Sequence, residues 1–88
     1  MFNDRLKQIR QKLGITQIVM AEELGVSNVD MSRYETGVVE PNLCFLTKLY
    51  TKYRVNLNWL LSGVGVPFLL NDEQKEMVRY VLQMTIEN

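Results

Sequence analysis

Four side chains in SNVDMSRYET, residues 27–36, are of types able to read the edges of base pairs. The amide of Asn28 can pair bidentately with adenine, the guanidinium of Arg33 can fork onto guanine, Val29 can touch a thymine methyl, and the Ser32 hydroxyl suits several edges. Each good bidentate pair contributes about 1–3 kcal/mol of discrimination. That chemistry requires one shared face. If Met31 and Tyr34 point inward on a helix, then Asn28, Val29, Ser32 and Arg33 lie about half a turn away, with Asn28 and Val29 at the amino-terminal end. The same spacing also describes the solvated face of any small helix, and the residue types alone leave both readings open. Asp30 stands among these side chains. Three residues after Ser27, its carboxylate can accept from the Ser27 backbone amide as the return half of a capping box and complement the positive end of the helix. It can instead pair with Arg33, three residues on, or accept from a cytosine amino group. The cap is the preferred reading.

The elements that must hold this face are helical throughout. Phe2, Leu6, Ile9 and Leu13 form one apolar stripe on a first helix that Gly14 ends. Thr16 is placed to cap a second helix with Met20, Ala21 and Leu24 inward and Gly25 as its stop. Ser27 caps a third helix and Gly37 ends it. The segment VVEP, residues 38–41, reads as an extended loop because the residue before Pro41 is steered away from helix. Asn42 caps a fourth helix, whose stripe of Leu43, Leu46, Tyr50 and Tyr53, broadened by Phe45 and Leu49, is expected to be buried. NLNWLLSG, residues 56–63, is a short fifth helix anchored by Leu60 and Leu61. After a linker, Asn71 with Gln74 three residues on opens a sixth. Its apolar flank carries Met77, Val78, Val81 and Met84.

The unit from Gln17 to Tyr34 is the specific part. Two short helices that meet at a steep angle need a small residue where their backbones approach, a turn residue that tolerates positive φ, and apolar side chains at fixed offsets. Ala21 fills the first role and Gly25 the second. Met20, Leu24, Val26, Met31 and Tyr34 fill the third, and no position expected to be buried there is charged. With RLKQIRQKLGITQ (5–17), AEELGVSNVDMSRYETG (21–37), PNLCFLTKLY (41–50) and NWLLSG (58–63), about two thirds of the chain resembles the lambda-repressor/Cro-like (XRE) family of helix-turn-helix DNA-binding domains.

The resemblance implies an all-α fold: a five-helix lambda-repressor-like bundle over residues 1–63, with the helix-turn-helix unit at 17–36. It implies a third helix laid in the major groove of double-stranded DNA and presented twice by a dimer on a two-fold symmetric operator. Gln17 matches the family position that grips the phosphate backbone at a helix start. Thr36, Asn42 and the amides of Val38 and Val39 are further phosphate candidates. Arg10 matches a residue that pairs with an acid corresponding to Glu35, an ion pair that ties the first helix to the third. Many relatives carry Lys or Arg after the position of Gly37. This chain departs from them with VVE, which includes Glu40.

The bulk properties agree with a small folded domain. In 88 residues, 47% are hydrophobic and 23% charged, enough apolar material for one core. Ten basic residues balance ten acidic ones, so DNA binding has to come from local placement. Arg5, Lys7 and Lys12 are spread round the first helix as a solvated surface. Cys44 is a lone cysteine between apolar neighbours, expected as a buried thiol in a reducing, cytoplasmic setting. No exported leader or membrane-spanning run is expected; VGVPFLL, residues 64–70, is too short to span and reads as a linker against a core. There is no histidine, no thiolate metal set and no phosphate-binding glycine loop, so neither an enzyme, a metal, a cofactor nor a small-molecule ligand is expected. Residues 64–88 form the linker and the sixth helix, with Met77, Val78, Val81 and Met84 expected to meet a second copy in a homodimer. The expected function is a phage-type transcriptional repressor. The alternative is a protein-binding adaptor or antirepressor that keeps the fold without DNA affinity.

Overall fold

The computed structural model describes residues 2–69, in which five helices surround one core. They are α1 (Phe2–Leu13), α2 (Gln17–Leu24), α3 (Asn28–Thr36), α4 (Leu43–Tyr53) and α5 (Leu57–Ser62). The sixth helix and the dimer residues Met77, Val78, Val81 and Met84 lie outside the described residues. The helix starts follow the capping side chains. Thr16 accepts from the Val19 amide, Ser27 from the Asp30 amide and Asn42 from the Phe45 amide, each satisfying a first-turn donor that the helix itself leaves unpaired. Asn56 does the same for α5.

Leu6, Ile9, Met20, Ala21, Leu24, Met31, Tyr34, Phe45, Leu49, Val55 and Leu60 form the buried core. Phe2, Leu13 and Val26 pack against it from the side. Tyr34 lies on Phe45 with ring centroids 4.5 Å apart, tilted by 46°, which couples α3 to α4.

Three expectations need correction. The buried face of α4 centres on Phe45 and Leu49 with Leu46 and Tyr53 beside them, while Leu43 is 77% exposed. Apolar residues cover more than half of this helix's circumference, so periodicity admits two centres. Once Asn42 fixes the start, Leu43 falls about 160° from Phe45. Cys44 precedes Phe45 by one position, about 100° round the helix, and is exposed. In α5, Leu60 is the anchor and Leu61 is 55% exposed.

The chain does not leave the body at Gly63. Val55 and Phe68 form an isolated antiparallel bridge, with the Asn56 amide donating to the Pro67 carbonyl at 2.8 Å and the Leu69 amide to the Arg54 carbonyl at 2.8 Å. Residues 67–69 thereby close over Val55, which is fully buried. Among the described residues no helix is long and apolar enough to cross a membrane.

Candidate nucleic-acid interface

The turn between α2 and α3 is set by Gly25. Its φ of +70° turns the chain through the left-handed region, and its amide and that of Val26 donate back to the last carbonyls of α2. A side chain at Gly25 would be strained by the backbone itself rather than crowded, since the nearest atom to a Cβ there is Lys48 Nζ at 3.5 Å. Lys48 Nζ donates to the Leu24 carbonyl at 3.0 Å and Lys52 Nζ to the Glu23 carbonyl at 3.1 Å, placing two cations at the negative end of α2. Tyr53 donates its hydroxyl proton to the Glu23 carboxylate alongside. Burial, then the hydrogen bond to Glu23 and its charge, push the Tyr53 phenol well above its ordinary value. None of these α4 contacts is legible in the sequence, because lysine and tyrosine types carry no sign of which helix end they will meet.

On α3, Met31 and Tyr34 point inward and are buried. Asn28, Val29 and Arg33 are exposed and Ser32 is half-buried, so the four side chains expected to share an outer face do so. Neither the Asn28 amide nor the Arg33 guanidinium makes a hydrogen bond or ion pair among the described residues. Asp30 differs from expectation. Its amide donates to Ser27 Oγ at 3.0 Å, but its exposed carboxylate makes no return bond to Ser27 and no pair with Arg33 among the described residues. The Ser27 hydroxyl alone supplies the cap.

Behind this face sits a buried carboxylate. Glu35, 7% exposed, accepts from Arg10 Nε at 2.8 Å and Arg10 Nη2 at 3.2 Å, a bidentate pair. Arg10 also donates to the Ile15 carbonyl at 3.0 Å. Gln17 Nε2 donates to Glu35 at 3.3 Å, so the residue proposed to meet phosphate is held by the network that ties α1 to α3. A second N–H on that nitrogen and the backbone amides of Gln17 and Ile18, ahead of the Val19 amide that Thr16 takes, remain for an anion outside.

The other phosphate candidates divide. Asn42 spends its carbonyl oxygen on the Phe45 amide at 2.8 Å and keeps two N–H groups for an outside acceptor. Thr36 donates its hydroxyl proton back to the Ser32 carbonyl at 2.9 Å, so a phosphate contact requires it to rotate. The amides of Val38 and Val39 turn inward to the Arg33 carbonyl at 3.1 and 3.5 Å, where they close the end of α3. Arg5 is not part of a solvated surface. Its Nε and Nη2 donate to the Leu60 and Leu61 carbonyls at 2.7 and 3.1 Å and fasten the end of α5 to α1.

A left-handed glycine joining two short helices, the second anchored by an inward pair and polar along its outer face, defines the helix-turn-helix class. The chain belongs to the helix-turn-helix domain family, which matches residues 3–66 and bears out the resemblance read over residues 5–63. It is 37% identical to the SPbeta prophage-derived HTH-type transcriptional regulator YonR of Bacillus subtilis, across 91% of this chain and 78% of that protein. It is 32% identical to the HTH-type transcriptional regulator YqaE of the same organism, across 89% of this chain and 67% of that one. Among solved structures it is similar to the P22 c2 repressor protein in complex with a synthetic operator, with a TM-score of 0.66 and 33% identity over 72% of this chain and 96% of that one.

Proposed function

We propose that the chain is a sequence-specific DNA-binding transcriptional regulator of the repressor type, which lays α3 in the major groove and acts as a homodimer on a two-fold symmetric operator. The observation that carries this is the outer face of α3, where Asn28, Val29 and Arg33 stand exposed over the buried anchors Met31 and Tyr34. The relatives are regulators by name, and one of the similar structures is a repressor bound to operator DNA. Gln17, Asn42 and the start of α2 hold the phosphates, with Thr36 joining by rotation and Val38 and Val39 only if the Arg33 carbonyl releases their amides. The prophage-derived relative supports a phage or mobile-element origin and a bacterial cytoplasm as the setting.

One observation favours the adaptor reading. Of the basic side chains up to Leu69, Arg5, Arg10, Lys48 and Lys52 are engaged with carbonyls or a carboxylate, and Arg54 stacks on Tyr50 at 5.6 Å. Their charge persists except where Glu35 meets Arg10, but these side chains are held against the body, and Lys7, Lys12 and Arg33 are left to swing toward a polyanion. Selection from random duplexes decides between the two. The DNA reading expects an enriched palindromic motif, loss of one position of that motif in Arg33→Ala, and a log-log salt slope of about −4 to −5 from about 4–6 phosphate contacts. Absence of any motif, with Arg33→Ala indistinguishable from the parent, transfers the function to a protein partner.

A further inference from the structure

The carboxylate of Asp30 sits in the first turn of α3, where it complements the positive end of the helix, but it has no hydrogen-bond donor of its own among the described residues. The Ser27 hydroxyl caps the Asp30 amide, and the exposed carboxylate of Asp30 makes no hydrogen bond or ion pair among the described residues, even though Arg33 stands one turn on. On the helix the two lie about 60° apart on one flank, with Asn28 and Ser32 on the other. The outer face is therefore chemically lopsided: an amide that can both donate and accept on one side, and an acceptor-only carboxylate beside a donor-only guanidinium on the opposite side.

We propose that Asp30 is a specificity-determining residue that accepts a hydrogen bond from the N4 amino group of a cytosine within one base step of the guanine taken by Arg33. The proposal rests on the major-groove reading of α3. A carboxylate brought among phosphates is repelled unless a donor meets it. The major groove offers two base donors, adenine N6 and cytosine N4. Beside adenine N6 lies N7, an acceptor that opposes a carboxylate. Cytosine presents its amino group without a neighbouring acceptor on the same base, and thymine and guanine present acceptors only. The Arg33 guanidinium next to Asp30 offsets its charge while taking O6 and N7 of the adjacent guanine, so the pair reads a cytosine and a guanine together.

The test is selection of random duplexes with the 88-residue chain and its Asp30→Asn and Asp30→Ala variants, followed by affinity measurements on the enriched site. The parent is expected to enrich a cytosine next to the guanine that Arg33→Ala loses, and replacing that cytosine should weaken binding about tenfold. Asp30→Ala should abolish the preference for cytosine, Asp30→Asn should move it toward adenine, and the remaining positions should be unchanged. If Asp30→Ala keeps the cytosine with its tenfold penalty, or binds every sequence more tightly with an unchanged motif, Asp30 is merely a repelling charge and the proposal is overturned. If the parent enriches no motif at all, the proposal falls together with the DNA reading, a result distinct from a motif indifferent to Asp30.

Discussion

Glu35 concentrates more of the structure than any other single side chain on α3, since one carboxylate satisfies two nitrogens of Arg10 and the amide of Gln17. With its side chain only 2% exposed, it is tolerable only while paired, because a desolvated charge without a partner costs several kcal/mol. Glu35→Ala removes the acceptor and leaves Arg10 largely covered, its remaining bond being to the Ile15 carbonyl. The expected cost is about 3 kcal/mol of stability, read as a lowered urea midpoint with an unchanged slope. Glu35→Gln keeps an oxygen for Arg10 and should lie between the two. A Glu35→Ala midpoint equal to the parent's would show that the pair contributes nothing to holding α1 on α3. The pairing partner was legible in the sequence only through family resemblance, since Arg10 and Glu35 are 25 positions apart and neither type announces the other. The outer residues of α3 were legible from spacing, because inward Met31 and Tyr34 leave few other directions for Asn28, Val29 and Arg33. The open carboxylate of Asp30 was not legible. Sequence spacing permits a capping box, and only the geometry shows that the hydroxyl half forms without its return half.

Helix ends are the most readable feature at the level of elements, because Thr16, Ser27 and Asn42 each act on an amide three residues ahead and glycine marks every stop but that of α4, which ends on a left-handed Arg54. Helix faces are less readable where apolar residues are abundant, which is why spacing extends the buried stripe of α4 to Leu43 and gives Leu61 a core position. The pairing of residues 67–69 with 54–56 left no trace in local pattern, being a contact between segments whose sequences look like loop. At the turn between α2 and α3 the conformation itself limits what is tolerated. Gly25→Ala is expected to cost about 1–2 kcal/mol from the left-handed backbone alone, and Gly25→Asn less, because asparagine tolerates that region. Thermal melts of the two variants check the order, and equal losses would point to crowding instead. The Tyr53–Glu23 contact between α4 and α2 gives an alkaline signature. Tyr53 has a folded-state value raised above its unfolded value of about 10, so its contribution to stability is complete below that pH and is lost as pH rises toward the folded value. The parent's melting temperature should fall more steeply above pH of about 10 than that of Tyr53→Phe, and parallel alkaline slopes would exclude the contact as a cause.

For the molecule as a whole, a formal charge of zero conceals an uneven distribution. Basic residues outnumber acidic ones by two up to Leu69, and the compensating excess of acid lies beyond it in Asp72, Glu73, Glu76 and Glu87 against Lys75 and Arg79. The body that carries α3 is thus mildly basic, although Arg5, Arg10, Lys48 and Lys52 are tied to carbonyls, and two bodies acting together would double a weak electrostatic attraction. Dimerisation therefore matters more here than it would for a strongly basic domain. A single half-site contact by α3 would bind poorly, whereas joining two raises the effective concentration of the second to the millimolar range. The segment with the composition for that task is 71–88, where Met77, Val78, Val81 and Met84 recur at helical spacing. The 88-residue chain is expected to sediment as a dimer at micromolar concentration and a chain ended at Leu70 as a monomer. The shortened chain should keep its far-ultraviolet helical signal and its core transition, because Val55 and Phe68 already close the body before that point. On a full operator it should lose at least a hundredfold in affinity, while on an isolated half-site the two chains should bind alike. If both chains sediment as monomers, the apolar residues of 77–84 do not join two copies, and the operator must be read by single bodies. If both are dimers, the joining surface lies within residues 1–70.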